Sequence, residues 1–147
     1  MSRINQHTCV RILEIDAGHR VYGHEGKCAH VHGHRYKFEI HATATELDIV
    51  GRVIDFSIIK EKIGQWLDDN WDHGMILWVS DPVSQEWISP VTYLYGHKYF
   101  LLPYNPTAEN LADFLLDKAN ELLKRTEVRV FKVVCWETPN CWASAEV

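Results

Sequence analysis

The sequence predicts an α+β fold: a four-stranded antiparallel sheet with two helices packed on one face. Three observations carry that prediction. Two stretches near each end of the chain have the β-branched content or the strict alternation of strands. Two segments between them carry the 3.6-residue spacing of amphipathic helices. No helix separates the two strands of either pair, so each pair is expected to be antiparallel rather than joined by a crossover. With 147 residues and no linker, repeat or low-complexity stretch, residues 1–147 read as one domain able to bury its own core.

The elements follow in chain order. "TCVRILEI", residues 8–15, is a strand by its β-branched content. "GHRVYGHEGKCAHVHG" has four glycines and no period, so it is a loop. From His34 the alternation is strict. Tyr36, Phe38, Ile40, Ala42 and Ala44 face one way; Arg35, Lys37, Glu39, His41 and Thr43 face the other. In "DFSIIKEKIGQWLDD" the period changes: Phe56, Ile59, Ile63, Trp66 and Leu67 form a helical stripe, with Asp55 or Ser57 as its cap. Residues 74–104, rich in aromatics and turn formers, predict a loop and one or two strands. "NPTAENLADFLLDKANELLKR" is the second helix, capped by Thr107 after Pro106, with Ala108, Leu111, Ala112, Leu115, Ala119 and Leu122 inward. "VRVFKVVCWET" alternates again, with Phe131, Val133, Cys135 and Glu137 on one side, and "CWASAEV" is a short final strand.

Composition excludes several classes of partner. Apolar residues make up 46% and charged residues 24%, which argues against disorder. A net charge of -5 without a basic stripe argues against nucleic acid. No apolar run is long enough to cross a bilayer and "MSRINQHTCV" is no signal peptide, so a cytoplasmic address is expected. Cys9, Cys28, Cys135 and Cys141 contain no C-x-x-C pair and read as free thiols of a reducing compartment.

Of nine histidines, His19, His24, His30, His32 and His34 fall within sixteen residues. His32 and His34, two apart at a strand start, project their imidazoles from one face, and His19, just past the end of the first strand, is the natural third ligand. Three neutral imidazoles with a vacant fourth vertex describe a catalytic zinc site, whereas an isolated H-x-H is more often a pair of exposed loop side chains. His24, His30, His41 and His97 read as loop or surface side chains. Cys28, four residues before His32, is a thiol whose thiolate a nearby cation would favour; a fourth metal ligand and an inert cysteine are its other readings. In "NWDHGM", Asp72 can fix the tautomer of His73 for proton transfer, although most such pairs are surface residues. Glu137 shares a face with apolar residues and so requires a partner, either an ion pair or a ligand with two parallel N–H donors. Glu109 sits where a helix dipole favours negative charge in any case.

"AGHR", "KCAHVHGH", "GRVIDFSIIK", "WDHGMIL", "NPTAENLADFL" and "WETPN" occur in one order along nearly the whole chain. Together they resemble the family of 6-pyruvoyl-tetrahydropterin and 6-carboxy-tetrahydropterin synthases. The resemblance implies a tunnelling fold whose subunits close into trimeric β-barrels, with two trimers stacked as a homohexamer and active sites between subunits. It implies Zn2+ on His19, His32 and His34, and Cys28 as the proton-abstracting thiolate. It implies Asp72 and His73 as a second relay, Glu137 as pterin anchor counted with that relay, and Thr107 and Glu109 near the pterin pocket. The implied substrate is 7,8-dihydroneopterin triphosphate. The spacing C-x-x-x-H-G-H resembles the bacterial carboxy synthases of queuosine and other 7-deazaguanine pathways, which release acetaldehyde with triphosphate. A pyruvoyl-type triphosphate lyase and a non-catalytic pterin-binding module are the alternatives. The chain departs from the family pattern in "IDAGH" before His19 and in "GMILWVSDP", which opens an aromatic insertion running to about Tyr104.

Overall fold

The structure is a computed structural model that describes residues 6–89 and 96–147. Strands β1 (Thr8–His19) and β2 (His32–Ala44) pair antiparallel in unbroken register from Thr8↔Thr43 to His19↔His32. β1 outruns the expected 8–15 because Asp16, Ala17, Gly18 and His19 lack β-branched content, yet the ladder with β2 continues through them. β2 begins at His32, two residues before the alternation becomes visible, and its partner at that end is His19. On the other side of β2 lie β5 (Val128–Thr138) and then β6 (Cys141–Glu146), both antiparallel to their neighbours.

The sheet has six strands, not four. β3 (Met75–Trp78) lies parallel to the end of β1, and β4 (Tyr99–Leu102) lies parallel to β3. The order is β4-β3-β1-β2-β5-β6, so the sheet is mixed. Both extra strands come from residues 74–104, and each is only four residues long, too short to display a period of its own. Between them stands a short helix, α2 (Pro82–Trp87), capped by Asp81, whose other carboxylate oxygen accepts from Arg20 Nε at 3.0 Å. The expected insertion role of 78–104 lies partly outside the described residues.

Two longer helices cover one face of the sheet, as expected. α1 spans residues 56–70: α over Phe56–Ile59, widened to π over Lys60–Gly64, and α again over Gln65–Asn70. Asp55 caps it by accepting from the Ser57 amide. Ile59, Ile63 and Leu67 are fully buried, but Phe56 in the first turn is 51% exposed and leaves the stripe. α3 (Ala108–Leu122) is capped by Thr107 and buries Ala108, Leu111, Ala112, Leu115, Leu116 and Ala119. Against them pack Leu13, Ile15 and Ala17 of β1 and Tyr36, Phe38, Ile40 and Ala42 of β2. Each large apolar side chain closed into this layer contributes roughly 1.5–3 kcal/mol. In β5 the inward residues are Val130, Val133 and Cys135, and Phe131 is only partly buried. A bulge opposite His41 and Ala42 inserts one residue and resets the alternation. Glu137 keeps its place on the inner face, two residues beyond Cys135. No helix of the described residues is long and apolar enough to cross a membrane.

Candidate active site

Register is the first cause of the site. Because His19 pairs with His32, the inward side chains of adjacent strand ends and His34 converge at one rim of the core. The ring centroids of His19 lie 4.5 Å from His32 and 5.1 Å from His34, and those of His32 and His34 are 4.8 Å apart. One nitrogen from each ring lies within 4.8 Å of the others. The three residues picked from sequence spacing are therefore gathered.

Their tautomers are set by backbone oxygens. His19 Nδ1 donates to the Pro106 carbonyl at 2.7 Å, and His32 Nδ1 donates to the His30 carbonyl at 2.6 Å. A carbonyl can only accept, so in each neutral ring the lone pair sits on Nε2. Those two Nε2 atoms face each other at 3.0 Å. Two lone pairs at that distance repel unless a cation, a proton or a metal ion, lies between or beside them. Burial holds His19 down to about 4, against the hydrogen bond to Pro106 that raises it, with His32 and His34 lowering it further; the ring is neutral at pH 7. His34 is also lowered, by burial above all, although Glu137 opposes the shift. Its Nε2 is buried without a hydrogen-bond partner, and Glu137 Oε2 at 4.0 Å is too distant to serve as one. The facing Nε2 atoms of His19 and His32, beside the unpartnered His34 Nε2, fit a divalent metal ion held by three imidazoles with one tetrahedral vertex left over.

Cys28 lies in a single 3-10 turn, Lys27–Ala29, inside the loop between β1 and β2. That loop is closed by the Val21 amide donating to the Cys28 carbonyl at 2.8 Å. It is tied to the start of α3 by Asn105, which accepts from the Tyr22 amide at 3.0 Å and donates to the Tyr22 carbonyl at 2.9 Å. Asn105, Pro106 and Thr107 thus pin the loop, orient His19 and cap α3 in three consecutive residues. The result is a cavity of 320 Å³ lined by Cys28, Thr107, Glu109, Glu137 and His24. Four of these were singled out from sequence; His24, read there as a loop or surface side chain, does lie in the loop and also lines this cavity. Its place in the lining depends on closure of the loop and not on any local pattern.

Asp72 and His73 occupy a different place. Asp72 Oδ2 accepts from His73 Nδ1 at 2.9 Å, and its Oδ1 accepts from the Asp16 amide at 3.0 Å. Burial raises the Asp72 carboxyl, but these two hydrogen bonds together with the electrostatic pull of His73 and Lys98 outweigh it and the net shift is downward, so the group is a carboxylate that keeps the His73 proton on Nδ1. His73 itself is 74% exposed and sits at φ 59, the left-handed region that few non-glycine residues adopt. It lines a second cavity, 490 Å³, with Asp16, Gly18, Gly33, His34 and Lys98. Gly18 and Gly33 are cross-strand partners without side chains. A Cβ on Gly18 would meet Met75 Cε at 2.7 Å, so the Met75 side chain lies directly over this glycine. His34 borders this second cavity and faces Glu137 of the first, so the imidazole cluster stands between the two. Within one chain, Cys28 and His73 do not share a cavity.

A cluster of three lone-pair-bearing imidazoles between two cavities, one holding a thiol and the other a carboxylate–imidazole pair, on an α+β scaffold, defines an enzyme. The 6-pyruvoyl tetrahydropterin synthase family model matches residues 8–147. The chain is 41% identical over 138 residues to the 6-carboxy-5,6,7,8-tetrahydropterin synthase of Rickettsia felis, covering 91% of this chain and 96% of that one. It is 34% identical to the protein of that name from Aquifex aeolicus, over 87% of this chain and 90% of the relative. Among solved structures, an uncharacterized protein from Wolinella succinogenes superposes with a TM-score of 0.85 at 23% identity, covering 97% and 98% of the two chains. The Caenorhabditis elegans 6-pyruvoyl tetrahydropterin synthase superposes with a TM-score of 0.68 at 22% identity, covering 100% and 99%. The chain belongs to the 6-pyruvoyl tetrahydropterin synthase family, with the tunnelling fold of a single subunit.

Proposed function

We propose that this protein is a lyase that converts 7,8-dihydroneopterin triphosphate to 6-carboxy-5,6,7,8-tetrahydropterin, releasing acetaldehyde and triphosphate, as a single-domain cytoplasmic enzyme of the queuosine and 7-deazaguanine pathways. The observation that carries this reading is the facing pair of His19 and His32 lone pairs beside the orphaned His34 nitrogen, next to a cavity that holds Cys28 and Glu137. The names of the relatives at 41% and 34% identity support the carboxy product over the pyruvoyl one.

His19, His32 and His34 would hold Zn2+, which when bound acidifies a C–H beside a coordinated hydroxyl and polarises the carbonyl that develops. The chain's own residues do the rest. Glu137 accepts two parallel N–H bonds from the 2-amino-4-oxo edge of the pterin, a charge-assisted pair that fixes the ring. Thr107 and Glu109 close the same cavity at the helix start. Cys28 Sγ takes a proton on this side. His73, with its proton held on Nδ1 by Asp72, presents a free Nε2 lone pair on the other side. Because the two cavities are separate in one chain, this arrangement is completed by a neighbouring copy, in keeping with a homohexamer of two stacked trimers with sites between subunits.

Incubation of zinc-loaded protein with dihydroneopterin triphosphate is expected to release acetaldehyde and to give 6-carboxy-tetrahydropterin by mass spectrometry. A product that retains the three-carbon side chain, with no acetaldehyde, would replace this reading by the pyruvoyl synthase. Pterin binding without any product would leave a binding module.

A further inference from the structure

We propose that His24 is a substrate-binding residue, donating an Nε2–H hydrogen bond to an acceptor atom of the bound pterin ring; this rests on the pterin reading above. His24 lines the cavity of Cys28, Thr107 and Glu137. Its tautomer is fixed locally: the Gly26 amide donates to His24 Nδ1 at 2.8 Å, so the neutral ring carries its proton on Nε2. That N–H has no protein partner among the described residues. The ring is also held in place. The His24 amide donates to the Val21 carbonyl at 3.2 Å around Gly23, whose φ of 87 suits the turn, and Val21 in turn binds the Cys28 carbonyl. The loop that positions the thiol therefore positions this imidazole.

The need for such a donor follows from the cavity's chemistry. Glu137 and Glu109 are acceptors and match the N–H groups of a pterin. The ring also carries a carbonyl oxygen and ring nitrogens, which need donors, and burying them unpaired would cost affinity. Thr107 Oγ1 accepts from the Asn110 amide and keeps its own O–H to donate, and the Trp142 ring, which packs against Trp136, adds an indole edge to the lining. His24 is the ring N–H that the Cys28 loop itself brings to the cavity, its proton placed on Nε2 by the Gly26 amide.

The test is calorimetric titration of zinc-loaded protein with 7,8-dihydropterin, which has the ring but neither side chain nor phosphate, alongside turnover of dihydroneopterin triphosphate. His24→Ala is expected to weaken dihydropterin binding about tenfold and to raise KM more than it lowers kcat, with zinc content unchanged. His24→Gln, whose amide N–H reaches a similar distance, is expected to recover most of that loss. Undiminished dihydropterin affinity in His24→Ala would overturn the assignment. So would equal losses in both variants, which would mark the imidazole as a brace for Gly26 and not a ligand contact. A wild-type protein that neither binds dihydropterin nor turns over the triphosphate would instead bring down the function itself.

Discussion

The two histidine sites of this molecule are built on opposite terms. His19 is 1% exposed, ends a strand that is paired on both sides, with His32 and with Ile76, and has its proton placed by a backbone carbonyl. His73 is 74% exposed, sits in a left-handed turn, and depends on a single carboxylate neighbour. The first site is complete in one chain; the second is open. Ligands for a metal must be fixed before the ion arrives, because a shared vertex tolerates little error in position. A proton carrier needs only one correct contact and can wait for a second surface to bring its substrate. A positive φ on a non-glycine residue costs on the order of 1 kcal/mol, and the ladder around Asp16 is rigid enough to hold it, with the His73 amide donating to the Asp16 carbonyl at 2.6 Å.

The sharpest way to break this contrast is to remove a ligand. His19→Ala is expected to abolish zinc binding, seen as loss of stoichiometric metal by elemental analysis, and with it all turnover. Cys28→Ala is expected to retain metal and pterin binding while turnover falls by at least about 100-fold; an unchanged rate would remove the thiol from the chemistry. His73→Ala should fall comparably with metal content intact. Mixing the Cys28→Ala and His73→Ala proteins, then letting subunits exchange, is expected to regain activity, since each lesion would lie on a different chain of a shared site. No recovery would place both groups in one chain and contradict their separation. Glu137→Ala should weaken dihydropterin binding by about 2 kcal/mol or more, because a bidentate charge-assisted pair is lost.

Smaller effects sharpen the same contrast through stability. The folded His19 pKa of about 4 lies below the ordinary 6.5, so the unfolded chain binds the proton first as pH falls. Metal-free protein is therefore fully stable with respect to this group above pH 6.5 and loses stability as pH drops below it, by about 2 kcal/mol by pH 5. Urea midpoints at the two pH values read that loss, and His19→Gln should flatten it. At the exposed site, His73→Gly relaxes the strained φ and should change folding stability by less than about 1 kcal/mol. A large change there would mean that the turn, and not the imidazole, is what the corner provides.

Much of the site was legible before the fold was known. H-x-H at a strand start implies same-face imidazoles in any register, and Thr107 and Asp55 announced their helices by cap chemistry that depends only on local backbone. Phe56 and Phe131 were misplaced for reasons outside any local window: one falls in a first turn left half in solvent, the other beside a bulge that shifts alternation by a residue. β3 and β4 were foreseen only as one or two strands of unknown direction, because four residues carry no period and their parallel pairing depends on where β1 ends.

The sequence by itself determined the periods, the caps and the choice of the candidate metal-ligating and proton-carrying side chains, since these follow from residue type and spacing of a few positions. Only the tertiary structure decided which of them meet. The approach of His19 to His32, the gathering of Cys28, Glu137, Thr107 and His24 around one cavity, and the exile of His73 to another are set by strand register and loop closure between residues more than a hundred positions apart. Those contacts are fixed by burial of the whole core at once, and no short stretch of chain contains them.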